Sequence, residues 1–365
     1  MPSVLPVPRG WQLAMQWDWV LPGLREAMAR PVGIHNCLVG VASGLLGVAC
    51  RDVAPPQEFV DPLVGKPRLS ETRTFRSEHW DTVLVVGGKA SDTTLLRPRL
   101  IATGRGKVVA FDYGDRAVKA FDLGGHMLWR FGRRGSGPGE FQGAFDLDVA
   151  EDGSVWVLDP DQNRLTVITA EGTLDTVLYP STELISAVAL MPPGAMVLTR
   201  KIDPFWLRID QEGRLLAQGR TPAPSLERIP PFARHPLAAS APRGEWVVVF
   251  PYGNLLLVYE RDRLKCMERL IDARDFPASP IDSLPFTLAA LAVWDSTAVV
   301  LADGGGHDRL RVLDTYSLRT CAYRGSLLLP RRFSALAIDG NTFVLEYEEP
   351  SPTLLGIRPK SEPGR

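Results

Sequence analysis

Beyond residue 80 the chain is a succession of short apolar runs separated by turn-forming residues. Residues 107–113 (KVVAFDY), 154–160 (SVWVLDP), 164–170 (RLTVITA) and 245–251 (EWVVVFP) are each rich in β-branched and aromatic side chains. Residues 255–261, 297–303, 310–315 and 342–348 continue the pattern. Runs of about five to seven residues are the length of strands and too short for helices, and the Gly, Asp and Asn between them favour turns. No amphipathic stretch of helical length follows residue 80, so the pattern predicts an all-β chain.

The runs also repeat. The second strand of a unit ends in aspartate at Asp112 and again at Asp159. Third strands run into similar turns at Phe121-Asp122-Leu123-Gly124, Ile168-Thr169-Ala170-Glu171-Gly172 and Ile209-Asp210-Gln211-Glu212-Gly213, with later copies at Val258-Tyr259-Glu260 and Val312-Leu313-Asp314. A four-stranded unit of about 40–50 residues has the length of a propeller blade. Six units starting near Arg97, Phe145, Ile185, His235, Phe286 and Arg332 fill residues 80–358. The expected architecture is a six-bladed β-propeller of four-stranded antiparallel blades. The last unit holds only three strands, at 332–338, 342–348 and 352–358. Residues 80–87 (WDTVLVVG) are expected to supply the fourth and close the ring, because an open array would leave unpaired backbone groups at both edges.

Residues 131–141 (FGRRGSGPGEF), 152–159 (DGSVWVLD) and Asn163-Arg164 resemble the NHL-repeat pattern, and the chain is similar to the bacterial six-bladed propellers of the TolB-like group. The motifs cover residues 105–172. The third and fourth units lack the Gly-Pro-Gly-Glu-Phe turn, and Arg200 and Pro251 stand where the first two units end the second strand in aspartate. The resemblance implies a rigid ring that binds partners through its loop face.

The N-terminal segment reads differently. Residues 37–50 (CLVGVASGLLGVAC) carry no charge, follow Arg25 and Arg30, and precede Arg51, Asp52, Pro55 and Pro56. Fourteen uncharged residues are too few for a membrane span and suit a signal-peptide core of about 7–15 residues. The ending Leu46-Gly47-Val48-Ala49-Cys50 resembles the lipobox of bacterial lipoproteins, which implies lipid attachment at Cys50, although Leu46 stands one place further upstream than the pattern has it. Secretion with cleavage near Ala49, and a buried or disordered N-terminal helix of a cytosolic protein, are the alternatives. Met28-Ala29-Arg30 would begin an ordinary leader, which makes residues 1–27 an over-long start. Residues 1–50 are thus expected to be leader, 51–79 a Pro- and charge-rich tether, 80–358 the propeller and 359–365 a disordered tail.

Composition narrows the partners. Lys and Arg number 41 against 42 Asp and Glu, for a net charge of −1. No global field favours nucleic acid, so membrane association is expected only through the lipid. Of the four cysteines, Cys266 and Cys321 lie in the body, outside any Cys-x-x-Cys, and are expected as two separate buried thiols rather than a disulfide. The five histidines make no metal-ligand spacing, so no metal site is expected. The Gly135-Ser-Gly-Pro-Gly139 run is followed by a strand, not a helix, so it reads as a tight turn rather than a dinucleotide loop.

Two sets of candidate residues remain. At the start of innermost strands, which line the channel, stand Arg97, Arg99, Asp146, Asp148, His235 and Arg332. They suit an anionic or sugar-like ligand, or else pair with one another around water. On the loops stand Tyr113, Arg116, Arg133, Arg134, Asn163 and Arg164, whose Asx turns are also explained by local backbone bonding. The functional expectation is an extracytoplasmic, lipid-anchored and monomeric binding module for an envelope protein, glycan or small molecule, without cofactor. The alternatives are a lactonase- or lyase-like enzyme with Ca²⁺ held by Asp146 or Asp148, and a structural envelope component.

Overall fold

The computed structural model describes residues 73–360, apart from 77, 90, 224–225, 228, 230–233, 253–254, 272–287 and 304–307. The leader with Cys50, the tether to residue 72 and the tail from 361 lie outside the described residues.

The described chain forms six four-stranded antiparallel blades. Blade one runs Pro98–Gly104, Lys107–Asp112, Ala117–Asp122 and Met127–Phe131, from the centre outward. Blade two runs Asp146–Val149, Val155–Asp159, Arg164–Ile168 and Leu174–Leu178. Blade three runs Ile185–Met191, Gly194–Thr199, Trp206–Ile209 and Leu215–Gly219. Blade four runs Leu237–Ala241, Glu245–Val249, Leu255–Glu260 and Arg263–Arg269. Blade five runs Leu288–Trp294, Thr297–Ala302, Val312–Ser317 and Tyr323–Leu328. Blade six runs Ala335–Asp339, Thr342–Tyr347 and Thr353–Pro359, and its outer strand is Trp80–Gly87.

The closing strand is therefore the one the sequence predicts. Trp80 faces Pro359 and Val86 faces Leu354 in an antiparallel register, and the Lys360 N–H donates to the His79 carbonyl at 2.7 Å. Each innermost strand lies against that of the next blade, and blade six returns to blade one.

Second and third strands are buried on both faces, which is why they read as continuous apolar runs rather than alternating ones. Val155–Asp159 and Arg164–Ile168 have every residue buried. The core accordingly divides into apolar clusters at the blade interfaces. Val109, Phe111 and Val118 of blade one meet Leu147, Val155 and Val157 of blade two. At the closure Leu84 and Val86 join Val344 and Leu354 against Ile101, Val108 and Phe121 of blade one.

Two expectations change. Cys266 and Cys321 are not separate thiols but a disulfide, with Cα atoms 5.8 Å apart. Cys266 lies on the outer strand of blade four and Cys321 in the turn after the third strand of blade five, so the bond staples two neighbouring blades. The end of the expected tether also joins the ring. Phe75–Arg76 pairs in parallel with Tyr323–Leu328 on the rim of blade five. Arg73 anchors it through a buried ion pair to Asp314 at 2.8 Å, and the Ser326 hydroxyl donates to the same carboxylate. Residue 359, placed in the tail, belongs to the last strand.

Candidate functional site

Antiparallel order puts two sets of connections on one face of the ring: the turns between second and third strands, and the loops entering each innermost strand. The aspartates at the ends of second strands organise that face. Asp112 accepts backbone N–H groups of Leu96 and Arg97 at 2.7 Å and Gly114 at 2.9 Å, and the Lys119 ammonium at 2.8 Å. Burial alone would raise this carboxyl, but those donors outweigh it and hold it below the usual carboxylate range. Asp159 does the same for the next loop, accepting from the Gln142 backbone at 2.8 Å and the Gln162 amide at 2.6 Å. Each aspartate thus fastens the loop that delivers its blade's innermost strand.

In blade three the aspartate is replaced, one position earlier than the sequence alignment suggests. Thr199 faces Ile185 as Asp112 faces Pro98, and the Arg200 N–H donates to Leu184 as that of Tyr113 donates to Arg97. Arg200 therefore occupies the station of Tyr113, half-buried on the loop face.

Asp146 and Asp148 sit together in the channel wall. An oxygen of Asp146 accepts the Val188 N–H at 2.9 Å, and one of Asp148 accepts the Leu190 N–H at 3.2 Å and the Ser240 hydroxyl at 3.1 Å. They stitch blade two to blades three and four. Burial, reinforced by repulsion from Asp148, pushes the Asp146 carboxyl up to about 8, and burial raises Asp148 as well. Among the described residues no three His, Cys, Asp or Glu side chains converge as a metal-ligand group. Ca²⁺ takes about 6–8 oxygen ligands, commonly ionised carboxylates. This donor set does not fit a resident dication.

The other channel candidates spread around the mouth. Arg97 and Arg99 share Glu348, at 3.8 and 3.1 Å. Arg332 is exposed, while its neighbour Arg331 lies over the Tyr347 ring at 3.6 Å. His235 stacks on Phe145 with ring centroids 5.8 Å apart, and Arg200 lies over the same Phe145 at 6.0 Å.

The loop candidates divide. Tyr113 and Arg116 stack at 4.7 Å and belong to the mouth. A methyl placed on Gly143 would stand 2.9 Å from an Asp161 carboxylate oxygen and 3.4 Å from the Arg116 guanidinium, so these side chains converge there. Asn163, in left-handed conformation, donates its amide to Ser181 and accepts from the Ile185 N–H, fixing the entry to blade three. Arg164 is buried and donates to the carbonyls of Ser136, Gly137 and Glu140, holding the glycine turn from inside. Arg133 pairs with Glu140 in that turn at 2.8 Å, and Arg134 is exposed beside it. Gly132 is required there, with φ +88° and no room for a Cβ beside the Phe141 ring.

Structure thus gathers a crescent of Tyr113, Arg116, Asp161, Arg200, Phe145 and His235 across blades one to four. Phe145, Asp161 and Arg200 were not among the sequence candidates. A signal for Phe145 exists: Leu96, Phe145 and Leu184 all lie within two residues of an innermost strand, and all are exposed, at 46%, 40% and 54%. Next to the crescent an open cleft of about 540 Å³ is lined by Ser136, Gln142, Asp161, Gln162, Arg164 and Tyr179. On the opposite face an acidic cleft of about 590 Å³ lies between blades two and three, and none of the sequence candidates lines it.

Comparison with known proteins agrees with this architecture. No protein-family model matches the chain, and no curated protein does. Among solved structures it is similar to a candidate exported protein from Bacteroides fragilis, with 11% identity over 77% of this chain and 96% of that one, and a TM-score of 0.51. The WD40 repeats of RRP9 match with 9% identity over 79% and 99% of the two chains, at a TM-score of 0.50. Virginiamycin B lyase from Staphylococcus aureus matches with 10% identity over 77% and 99%, at 0.48. At these identities the likeness is one of fold: the protein is a six-bladed β-propeller.

Proposed function

We propose that this chain is an extracytoplasmic, lipid-anchored propeller of NHL type that captures an envelope protein, glycan or small molecule at the mouth of its channel. The observation that carries the reading is the arc of exposed apolar residues there: Leu96, Phe145 and Leu184 precede the innermost strands of three consecutive blades on one face, interleaved with Arg116 and Arg200. Exposed apolar residues clustered among polar ones are a mark of interaction surfaces, and loops on a rigid ring are where propellers vary without loss of fold. Three features support export: the leader pattern ending at Cys50, an inter-blade disulfide of a kind that persists in oxidising compartments, and the likeness to a candidate exported protein.

The test is a photo-crosslinking amino acid placed at Phe145 or Leu184, with Leu216 on the outer strand of blade three as control, in cells that carry the full chain. A discrete adduct from the two mouth positions, absent at Leu216, is the expected result. Equal labelling at all three removes the assignment of the face. In the same cells Cys50→Ala should release the protein from the membrane fraction, and retention would remove the lipid.

A further inference from the structure

The crescent at the channel mouth holds more positive charge than it neutralises. Arg116 and Arg200 both lie near the carboxylate of Asp161, and neither makes an ion pair among the described residues. Arg97 and Arg99, by contrast, already share Glu348. Arg200 is half-buried, and its Nε is shielded from solvent with no hydrogen-bond partner. Partial burial of an unpaired guanidinium costs free energy that an arriving anion recovers. A fixed planar fork of N–H donors suits a carboxylate, which it grips through two parallel hydrogen bonds.

The surroundings specify the rest of the ligand. Arg200 lies over Phe145 at 6.0 Å, and its backbone N–H is bonded to Leu184. Both apolar side chains are exposed. His235 stacks on Phe145 at an interplanar angle of 27°, which steadies the ring as a platform. An anion gripped by Arg200 therefore brings whatever it is attached to against Phe145 and Leu184. Bare phosphate or sulfate would leave that surface wet, whereas an acid with an aromatic or aliphatic body covers it. We infer that the mouth binds a carboxylate carried on an apolar body, with Arg200 and Arg116 holding the carboxylate and Phe145 the body.

This inference rests on the proposed binding role of the same face, and it names the ligand's chemistry. Two sources share that chemistry, a free hydrophobic acid and the C-terminus of a peptide ending in an apolar residue. Isothermal titration of the full chain with 4-phenylbutyrate, and with an acetylated tripeptide ending in phenylalanine, distinguishes them by which binds more tightly. The C-terminally amidated tripeptide, 4-phenylbutyramide and inorganic phosphate serve as comparisons. At least one acid should bind ten times or more tighter than its amide and than phosphate. Arg200→Gln should weaken it about tenfold or more, Arg200→Lys by less, and Phe145→Ala several-fold, while Arg134→Gln leaves it unchanged. Acid and amide binding alike, no binding by either acid, or an unaltered affinity in Arg200→Gln would overturn the inference. Because the crosslinking test uses the native partner, a mouth adduct obtained alongside failed titrations removes the carboxylate assignment and leaves the binding face in place.

Discussion

Removing the Cys266–Cys321 disulfide should destabilise the ring by a predictable amount. The bond closes a chain segment with a sequence separation of 55. For a loop of that length, chain-entropy arguments give about 4 kcal/mol of stabilisation through the unfolded state. Replacing both cysteines by alanine also removes two sulfurs from the apolar cluster between blades four and five, where Cys321 is fully buried. Truncating a small side chain at such a site adds about 1 kcal/mol. Guanidinium titration of the oxidised protein, the reduced protein and Cys266→Ala/Cys321→Ala should therefore show the last two about 3–5 kcal/mol less stable than the first. Alkylation before and after reduction, read by peptide mass, should find the two cysteines joined in protein from an oxidising compartment. Free alkylation of both in such unreduced protein would refute the staple. A double variant within about 1 kcal/mol of the parent would show that the bond does not constrain the unfolded chain as argued.

Ring closure and the channel acids give two further tests. Val86 is 3% exposed in the sixth interface, whereas Val85, its neighbour on the same strand, is 54% exposed. Val86→Asp should cost about 3–5 kcal/mol in thermal or chemical unfolding and Val85→Asp less than about 1, because only the first buries an unpaired charge; equal losses would mean that Trp80–Gly87 does not close the ring. Asp146 is raised by burial and by Asp148 from 3.8 to about 8, so the folded chain holds a proton that the unfolded chain gives up. Its contribution is thus complete below pH ~4 and is lost as pH rises toward ~8, at about 1.4 kcal/mol per unit at most. Asp146→Asn should flatten that decline, gaining up to about 3 kcal/mol on the parent between pH 5 and 7.5; parallel stability curves for the two proteins would refute the assignment.

What could be read from the chain followed from periodicity. Burial on both faces of second and third strands produced apolar runs at blade spacing, and those runs located every blade and the closing strand at Trp80–Gly87. Contacts between blades were less legible, since nothing in a local pattern states which residues meet across an interface. The two cysteines show the gap. Separated by 55 residues, they lie about one blade apart, which in a closed ring means adjacent. The mouth was only half visible for a similar reason. Arg99, Asp146 and His235 stood out as charged or titratable residues at strand starts. Phe145 reads in the sequence only as the start of a repeat unit, and Arg200 as a lapse in the aspartate pattern. Arg164 shows the reverse: an arginine in a loop motif looks available for a ligand, yet its two terminal nitrogens are spent on three backbone carbonyls of the glycine turn.

The channel acids and the mouth arginines belong to one electrostatic design. Asp146 and Asp148 spend oxygens on N–H groups of Val188 and Leu190, tying the innermost strand of blade two to that of blade three. That use requires them to be buried together, and burial together keeps at least one proton on the pair near neutral pH. A dication would reverse the balance by ionising both, but it would need further oxygen ligands where the described residues bring no third acid within reach. An anion meets the opposite situation. It is attracted to the two guanidinium groups at the entrance, and the carboxyls deeper in the wall, one of them protonated, discourage it from travelling further. On the inferred binding mode, this charge arrangement would stop an anionic group at the level of Phe145, where exposed apolar surface is available to the remainder of the molecule.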